Sequence, residues 1–241
     1  GTIPSYAGSD KNVFVPALVL RGRLGGFAFA SRGVNLSVDL MRERAGDHVD
    51  LKLGPLINLR TERSSRIHDP QVAALGTRPR TLEAGLFAGI SKTGVLTGDH
   101  DQFGVRVSYL HDVLGKHASH VMTTSVEYGT PLSRSTFLGA QATVTFLGKG
   151  YGRTYFDIDA AGSAASGLAT YGAAGRKSGA SKLAFTLAGA KSLSGDLRKG
   201  WAIVFAGQYG RMLGRYARSP IVADAGDADQ WLGGLGLAYT F

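Results

Sequence analysis

The segment that decides the fold is Gln102–Tyr109, Gln-Phe-Gly-Val-Arg-Val-Ser-Tyr, in which apolar residues alternate with polar or small ones. Successive side chains of a β-strand point to opposite faces of its sheet, so this pattern predicts a strand with one apolar face. No segment keeps a helical period over about 11 residues. The period of two recurs and predicts eleven strands: 12–21, 25–32, 33–42, 48–60, 81–92, 102–112, 118–130, 135–147, 181–194, 200–214 and 229–241.

This alternation is compatible with two all-β architectures. A soluble sandwich or barrel buries the apolar faces, whereas an antiparallel transmembrane barrel turns them to lipid and keeps polar side chains in its lumen. The predicted strands, roughly 9–13 residues long, favour the membrane barrel, because ~9–11 residues cross a bilayer at a tilt. Aromatic residues near strand ends suit its interfacial girdles. Charged residues in the middle of the polar faces would line its lumen: Asp39, Lys52, Glu83, Arg106 and Glu127.

The number of strands in the barrel is either ten or twelve. The sequence predicts eleven, which is an odd number, and bacterial single-chain barrels have even numbers of strands. If 25–42 is one bent strand the barrel has ten; if 1–3 is the end of a truncated first strand it has twelve, which we prefer. Either way we predict a single outer-membrane β-barrel domain over residues 1–241.

Connection lengths predict the orientation of this barrel. The long connections 61–80, 148–180 and 216–228 alternate with short ones such as 131–134 and 43–47. Outer-membrane barrels have long extracellular loops and short periplasmic turns, which places the C-terminus in the periplasm of a Gram-negative cell. The connection 93–101 is longer than a periplasmic turn should be.

The amino-acid composition and charge exclude several classes of site and partner. The 241 residues carry 35 glycines, which fit curved strands, and no cysteine, which excludes disulfides, thiolate metal sites and a cysteine nucleophile. Gly1 comes first and no signal peptide is visible, as in a cytosolic protein or a processed chain. The net charge of +9 is spread over loops, which argues against nucleic acid. The loop cations are either lipopolysaccharide phosphate contacts or solvated charge: Arg63, Arg66, Arg78, Arg80, Arg153, Arg176 and Lys177.

Two groups of residues suggest chemistry. Glu83, Arg106 and Glu127 lie on neighbouring predicted strands and point inward, as an ion-selective constriction or as a salt-bridged plug. His111, His117 and His120 flank one loop and suggest a metal or catalytic site, although a solvated turn is the interpretation we favour. We find no Ser/His/acid set, phosphate loop or zinc motif, and we predict no catalytic residues, metal or cofactor. The connection 151–180 has aromatic anchors and is either a lid or a disordered loop.

Several motifs resemble the MipA/OmpV family of outer-membrane barrels. Ile3-Pro4-Ser5-Tyr6-Ala7-Gly8-Ser9-Asp10 is similar to its N-terminal signature, and Ser219-Pro220-Ile221-Val222 and the end from Gln230 to Phe241 are similar to later ones. The family has an alternating segment before the first motif, which implies a missing first strand. The resemblance implies a scaffold that joins a periplasmic murein (peptidoglycan) transglycosylase to a penicillin-binding protein.

Three hypotheses for function follow. The first is this non-enzymatic scaffold or structural barrel, the second is a narrow channel for small solutes or ions, and the third is a barrel enzyme. The C-terminus, with Gly236, Tyr239 and Phe241, resembles the signal that the barrel-assembly machinery reads during insertion.

Overall fold

The computed structural model describes residues 1–16, 18–42, 49–64 and 67–241, and within them the chain forms one antiparallel sheet. Its thirteen strands are β1 (Thr2–Pro4), β2 (Asn12–Phe14), β3 (Val19–Leu24), β4 (Phe27–Arg32), β5 (Asn35–Asp39), β6 (Val49–Arg60), β7 (Thr81–Thr93), β8 (Gln102–Asp112), β9 (His120–Ser133), β10 (Thr136–Leu147), β11 (Gly179–Ser192), β12 (Gly200–Met212) and β13 (Asp229–Thr240). The all-β prediction is confirmed.

The sheet curls back toward itself. From β3 to β13 each strand pairs with the next along the chain, and β13 pairs with β1, which pairs with β2. The two edge strands are therefore β2 and β3, which are neighbours in sequence. Thirteen strands laid flat would span roughly 58 Å, whereas Phe14 and Val19 are at most about 18 Å apart along the chain. The sheet is open between these edges, so the strand number of a barrel is not fixed and twelve stays a prediction.

The first third of the chain differs in detail from the predicted strands. The segment 12–21 is two strands, because Pro16 lacks the N–H that a continuous ladder needs. The segments 25–32 and 33–42 are the separate strands β4 and β5, paired from Arg32↔Asn35, rather than one bent strand. The predicted short turn 43–47 lies outside the described residues.

The apolar face of the sheet points outward. In β6 the exposed residues include Leu51, Leu53 and Ile57, while the alternate positions Gly54 and Leu56 are buried. The same arrangement recurs on β13, where Leu235 and Leu237 are exposed. A soluble sandwich or barrel would bury these side chains, so the sheet has the sidedness of a membrane barrel.

Aromatic side chains mark both ends of this outer face. On β12 and β13 the rings of Trp201 and Tyr239 lie 5.1 Å apart at one end, and those of Tyr209 and Trp231 lie 4.9 Å apart at the other. Eight residues separate Trp201 from Tyr209, or roughly 27 Å along an antiparallel strand. Tilted by about 40°, that strand spans roughly 21 Å, close to the ~25 Å apolar band of outer-membrane barrels.

Among the described residues, five short helices that the periodicity did not predict lie between β6 and β7, between β10 and β11, and between β12 and β13. They are α1 (Pro70–Ala74), α2 (Lys149–Phe156), α3 (Ala160–Ser166), α4 (Gly214–Ala217) and α5 (Pro220–Ala223). All are shorter than the window in which a helical period is visible. Capping residues delimit them instead: the Asp69 carboxylate accepts from Val72 N at 2.9 Å, and Gly167 ends α3 with φ 73°. No helix in the described part of the chain is long and apolar enough to cross a membrane.

Candidate functional site

The three long connections meet at one end of the curled sheet and form a packed cap, which we define as residues 61–64, 67–80, 148–178 and 213–228. Its core is a buried cluster that includes Tyr151, Tyr155, Phe156, Tyr216 and Val222. The cluster continues onto the ends of β9, β10 and β12 through Val121, Leu147 and Met212. The connection 151–180 is therefore folded onto the strand ends, in the manner of a lid.

A buried carboxylate lies on the inner face of the sheet beneath the cap. Glu83 of β7 is fully buried and accepts hydrogen bonds from Arg60 Nε at 3.1 Å and Arg60 Nη2 at 2.8 Å. Asn58 Nδ2 donates to the same carboxylate at 2.8 Å, and His117 Nε2 lies 3.0 Å from Oε1. Four partner contacts offset the cost of burying this charge.

A second carboxylate, Asp112, fixes the loop that carries His117. The Asp112 carboxylate accepts from the backbone N–H groups of His117 at 2.6 Å and Ala118 at 3.0 Å, and from the Thr81 hydroxyl. His117 thereby projects inward onto Glu83, between β7 and the cap. We call Asn58, Arg60, Glu83, Asp112 and His117 the Glu83 network.

The cap is fastened to the Glu83 network through Tyr151 of α2. Its ring lies 5.2 Å from the Arg60 guanidinium and 5.1 Å from the His117 ring, edge to face. Its hydroxyl donates to Glu62, whose other oxygen accepts from Ala7 N at 3.0 Å. Burial raises the pKa of the Tyr151 hydroxyl well above its usual range, so it stays a donor at neutral pH.

The predicted lumen charges are divided between two levels of the sheet. Glu83 is opposite Asp112, whereas Arg106 is opposite Gly89, six residues further along β7. Six residues of strand span roughly 20 Å, more than the two side chains can bridge. Arg106 instead stacks on the Phe87 ring at 3.8 Å and lies diagonally across the β8–β9 register from Glu127. Between the two levels, Leu56, Phe87 and Leu110 form a buried apolar cluster.

The other predicted lumen charges have local partners. Lys52 Nζ lies 3.4 Å from Asp50, and Asp39 accepts from the backbone N–H groups of Met41 and Leu53 at 3.0 and 3.1 Å. Glu127 accepts from Gln141 at 3.4 Å.

The predicted loop cations fall into two groups. Arg63 is only 2 % exposed, and its guanidinium donates to the carbonyls of Tyr155 and Gly76, both at 3.2 Å. Burial lowers the pKa of Arg63 to about 10. Arg78 similarly donates to Thr154 O at 2.9 Å. These two side chains brace the cap from within. Arg66 lies outside the described residues, and the exposed cations are Arg80, Arg153, Arg176 and Lys177.

Two of the three histidines are opposite each other in the β8–β9 register, His111↔His120, and the third lies apart from them. His111 is exposed and His120 stacks on Tyr109 with ring centroids 5.6 Å apart, whereas His117 is buried in the Glu83 network. Across the residues that the structure describes, no three His, Asp or Glu side chains are grouped as a metal site.

Sequence reasoning missed Asn58 and Arg60 as partners of Glu83, and the Tyr151–Glu62 contact within the cap. Asn58 and Arg60 are an even number of residues from Lys52 along β6, so the alternation places all three on the inner face. This spacing could have identified both residues as inner-face side chains from the sequence.

The turn 94–101, which exceeds the expected length, is built around Asp101. Its carboxylate accepts from the N–H groups of Val95, Leu96 and Thr97 at 2.6, 2.7 and 2.6 Å and from the Tyr128 hydroxyl at 2.8 Å. These bonds hold the pKa of Asp101 well below its usual range. The rigid turn leaves Leu96 71 % exposed.

At the C-terminus, Tyr239 faces outward beside Trp201, and its ring lies 6.4 Å from that of Phe241. Gly236 lies on the inner face of the sheet, where Val204 of β12 is its cross-strand partner. Recognition of these residues during assembly stays a prediction.

A single curled antiparallel sheet, apolar outside and charged inside, is typical of the class of outer-membrane β-barrels. The family described as MltA-interacting protein MipA matches residues 1–241, the whole chain. The chain therefore belongs to the MipA family. No curated protein matches the sequence. Family and fold together are consistent with an outer-membrane protein.

Proposed function

We propose that this protein is a non-enzymatic outer-membrane barrel that serves as a scaffold for murein enzymes in the periplasm. The family description names an interaction with MltA, a murein transglycosylase, and this is the partner class that we assign to the chain. A penicillin-binding protein is the second partner that the family resemblance implies.

The observation that carries the proposal is the filled cap end of the barrel. The aromatic core of the cap, the Glu83 network and the cluster of Leu56, Phe87 and Leu110 occupy successive levels of the inner face. A filled interior supports a structural role over the narrow channel, which needs a continuous aqueous path.

The two ends of the barrel have different roles in this proposal. The cap faces outward, where the exposed cations Arg80, Arg153, Arg176 and Lys177 contact lipopolysaccharide phosphates. The end with short turns faces the periplasm, together with the C-terminus. The turn 94–101 is the docking element we favour, because Asp101 holds it rigid and Leu96 is exposed on it.

Capture of a purified MltA-type transglycosylase by the refolded barrel tests the proposal. We expect Leu96→Glu to weaken capture about ten-fold or more, since a charge would enter an apolar contact. The matched control is Ala160→Glu, which adds the same charge to an exposed site on the cap and should leave capture unchanged.

Wild-type barrel that retains no transglycosylase above the bead background would refute the scaffold role. Capture lost in Ala160→Glu and kept in Leu96→Glu would place the docking surface at the opposite end.

A further inference from the structure

Two histidines form a pair on the outer face of the sheet, at the end that carries the cap. His111 of β8 is the cross-strand partner of His120 of β9, so both side chains leave the sheet on the same face. His111 is exposed and His120 is half-buried, whereas the next residue, Asp112, is buried on the inner face. The sheet itself therefore separates this histidine pair from the Glu83 network.

The backbone hydrogen bonds bring the two histidines as close as neighbouring strands allow. Asp112 N donates to Ser119 O at 3.0 Å, so these two residues form a hydrogen-bonded pair of the ladder. The adjacent pair, His111 and His120, is then of the non-hydrogen-bonded kind, and the His120 carbonyl accepts instead from Gly148 N at 2.9 Å. In such a pair the Cα atoms lie roughly 4.5 Å apart and the side chains are at their closest. Two imidazoles so placed can bind a single ion between them.

An aromatic neighbour restricts the pair and marks its level in the barrel. The His120 ring stacks on the ring of Tyr109, with centroids 5.6 Å apart and an angle of 20° between the planes. A side chain already held by a stack loses less freedom when it binds a ligand. Tyr109 is itself exposed and precedes His111 by two residues on the same face of β8, so His111 lies roughly 7 Å nearer the cap. An ion can thus reach the pair from the water above the aromatic side chains.

From this arrangement we infer that His111 and His120 bind one divalent transition-metal ion, of the class to which Zn²⁺ belongs. Neutral imidazole nitrogen is a preferred ligand of these ions, whereas Mg²⁺ and Ca²⁺ prefer oxygen. Zn²⁺ commonly takes four ligands. The described part of the chain groups no third His, Asp or Glu with the pair, so water or an external donor completes the four. The inference does not depend on the scaffold proposal, because the pair is at the opposite end of the barrel from the turn 94–101.

Calorimetric titration of the refolded full-length chain with zinc chloride, in detergent at neutral pH, tests this site. We expect saturable binding of one Zn²⁺ per chain. Magnesium chloride is the control titrant and should give no saturable binding, because a pair of imidazole nitrogens is a poor site for a hard cation.

Three variants locate the ion. His111→Gln and His120→Gln should each weaken Zn²⁺ binding about ten-fold or more, since a single imidazole remains and the second ligand no longer binds at high effective concentration. The matched control is His100→Gln, which removes an exposed histidine from the turn 94–101 and should leave binding unchanged. If His120→Gln fails to fold because it loses the stack on Tyr109, the exposed His111→Gln variant decides.

Three results would overturn the inference. The first is wild-type protein that shows no saturable Zn²⁺ binding at submillimolar concentration. The second is a folded His111→Gln variant that binds Zn²⁺ as tightly as the wild type. The third is an equal loss of binding in His100→Gln, which would place the ion at the other end of the barrel.

Discussion

Replacing Glu83 by glutamine should lower the free energy of unfolding by about 3 kcal/mol, because the largely buried Arg60 charge loses the closer of its two carboxylate partners and keeps only Glu62 at 4.0 Å. The substitution keeps the size of the side chain, so the loss reports the charge. Urea unfolding in detergent, followed by tryptophan fluorescence, measures it.

The control is Asp229→Asn, the same carboxylate-to-amide change in the Arg211–Asp229 pair, whose contact is 2.8 Å but whose side chains are 58 % and 35 % exposed. An exposed pair of this kind contributes ~0–1 kcal/mol. The double variant Glu83→Gln/Arg60→Met should recover more than half of the loss, since the Arg60 cation that the single variant leaves without Glu83 is also removed. Equal losses for Glu83→Gln and Asp229→Asn would show that the Glu83 network does not hold the cap.

The second large effect is expected at Gly85 on the inner face of β7. A Cβ atom built there would lie 1.8 Å from the carbonyl oxygen of Tyr109 on β8. This oxygen belongs to the backbone, and the β7–β8 register holds it in place through Leu86↔Tyr109 and Gly85↔Leu110. The two strands must separate to admit a methyl group, so Gly85→Ala should reduce the yield of folded barrel at least ten-fold.

Heat-modifiable migration in gel electrophoresis measures the folded yield. The control is Gly207→Ala on β12, where a Cβ atom meets nothing within 4 Å. Refolding of Gly85→Ala with the same yield as Gly207→Ala would contradict the close approach of β7 and β8.

Much of the sheet could be predicted from the sequence, because a period of two is a local property of each strand. Strands such as β7 and β8 begin where the alternation begins, and every second residue along them faces outward as the alternation predicts. The first third was harder to predict, since Pro16 and the short β4–β5 hairpin interrupt the ladder without a change in composition.

The candidate site could be predicted only in part. Sequence placed Glu83 on the inner face but not its partner, because the strand register decides that Arg60 and not Arg106 reaches it. Long-range contacts within the cap have no local signature at all. Arg63 therefore resembled a solvated cation until its contacts with Tyr155 and Gly76 placed it inside the cap.

We propose that the chain spans the outer membrane with the cap outside and the short turns in the periplasm. The chain has no cysteine, so single cysteines can report on each side. We choose Arg176→Cys on the cap and Arg198→Cys on the turn between β11 and β12, both at exposed positions. The reagent is a polymer-linked maleimide too large for porins, applied to Gram-negative cells. We expect Arg176→Cys to react in intact cells and Arg198→Cys to react only after the outer membrane is permeabilised. The reverse pattern, or protection of both sites until lysis, would contradict this orientation in the outer membrane.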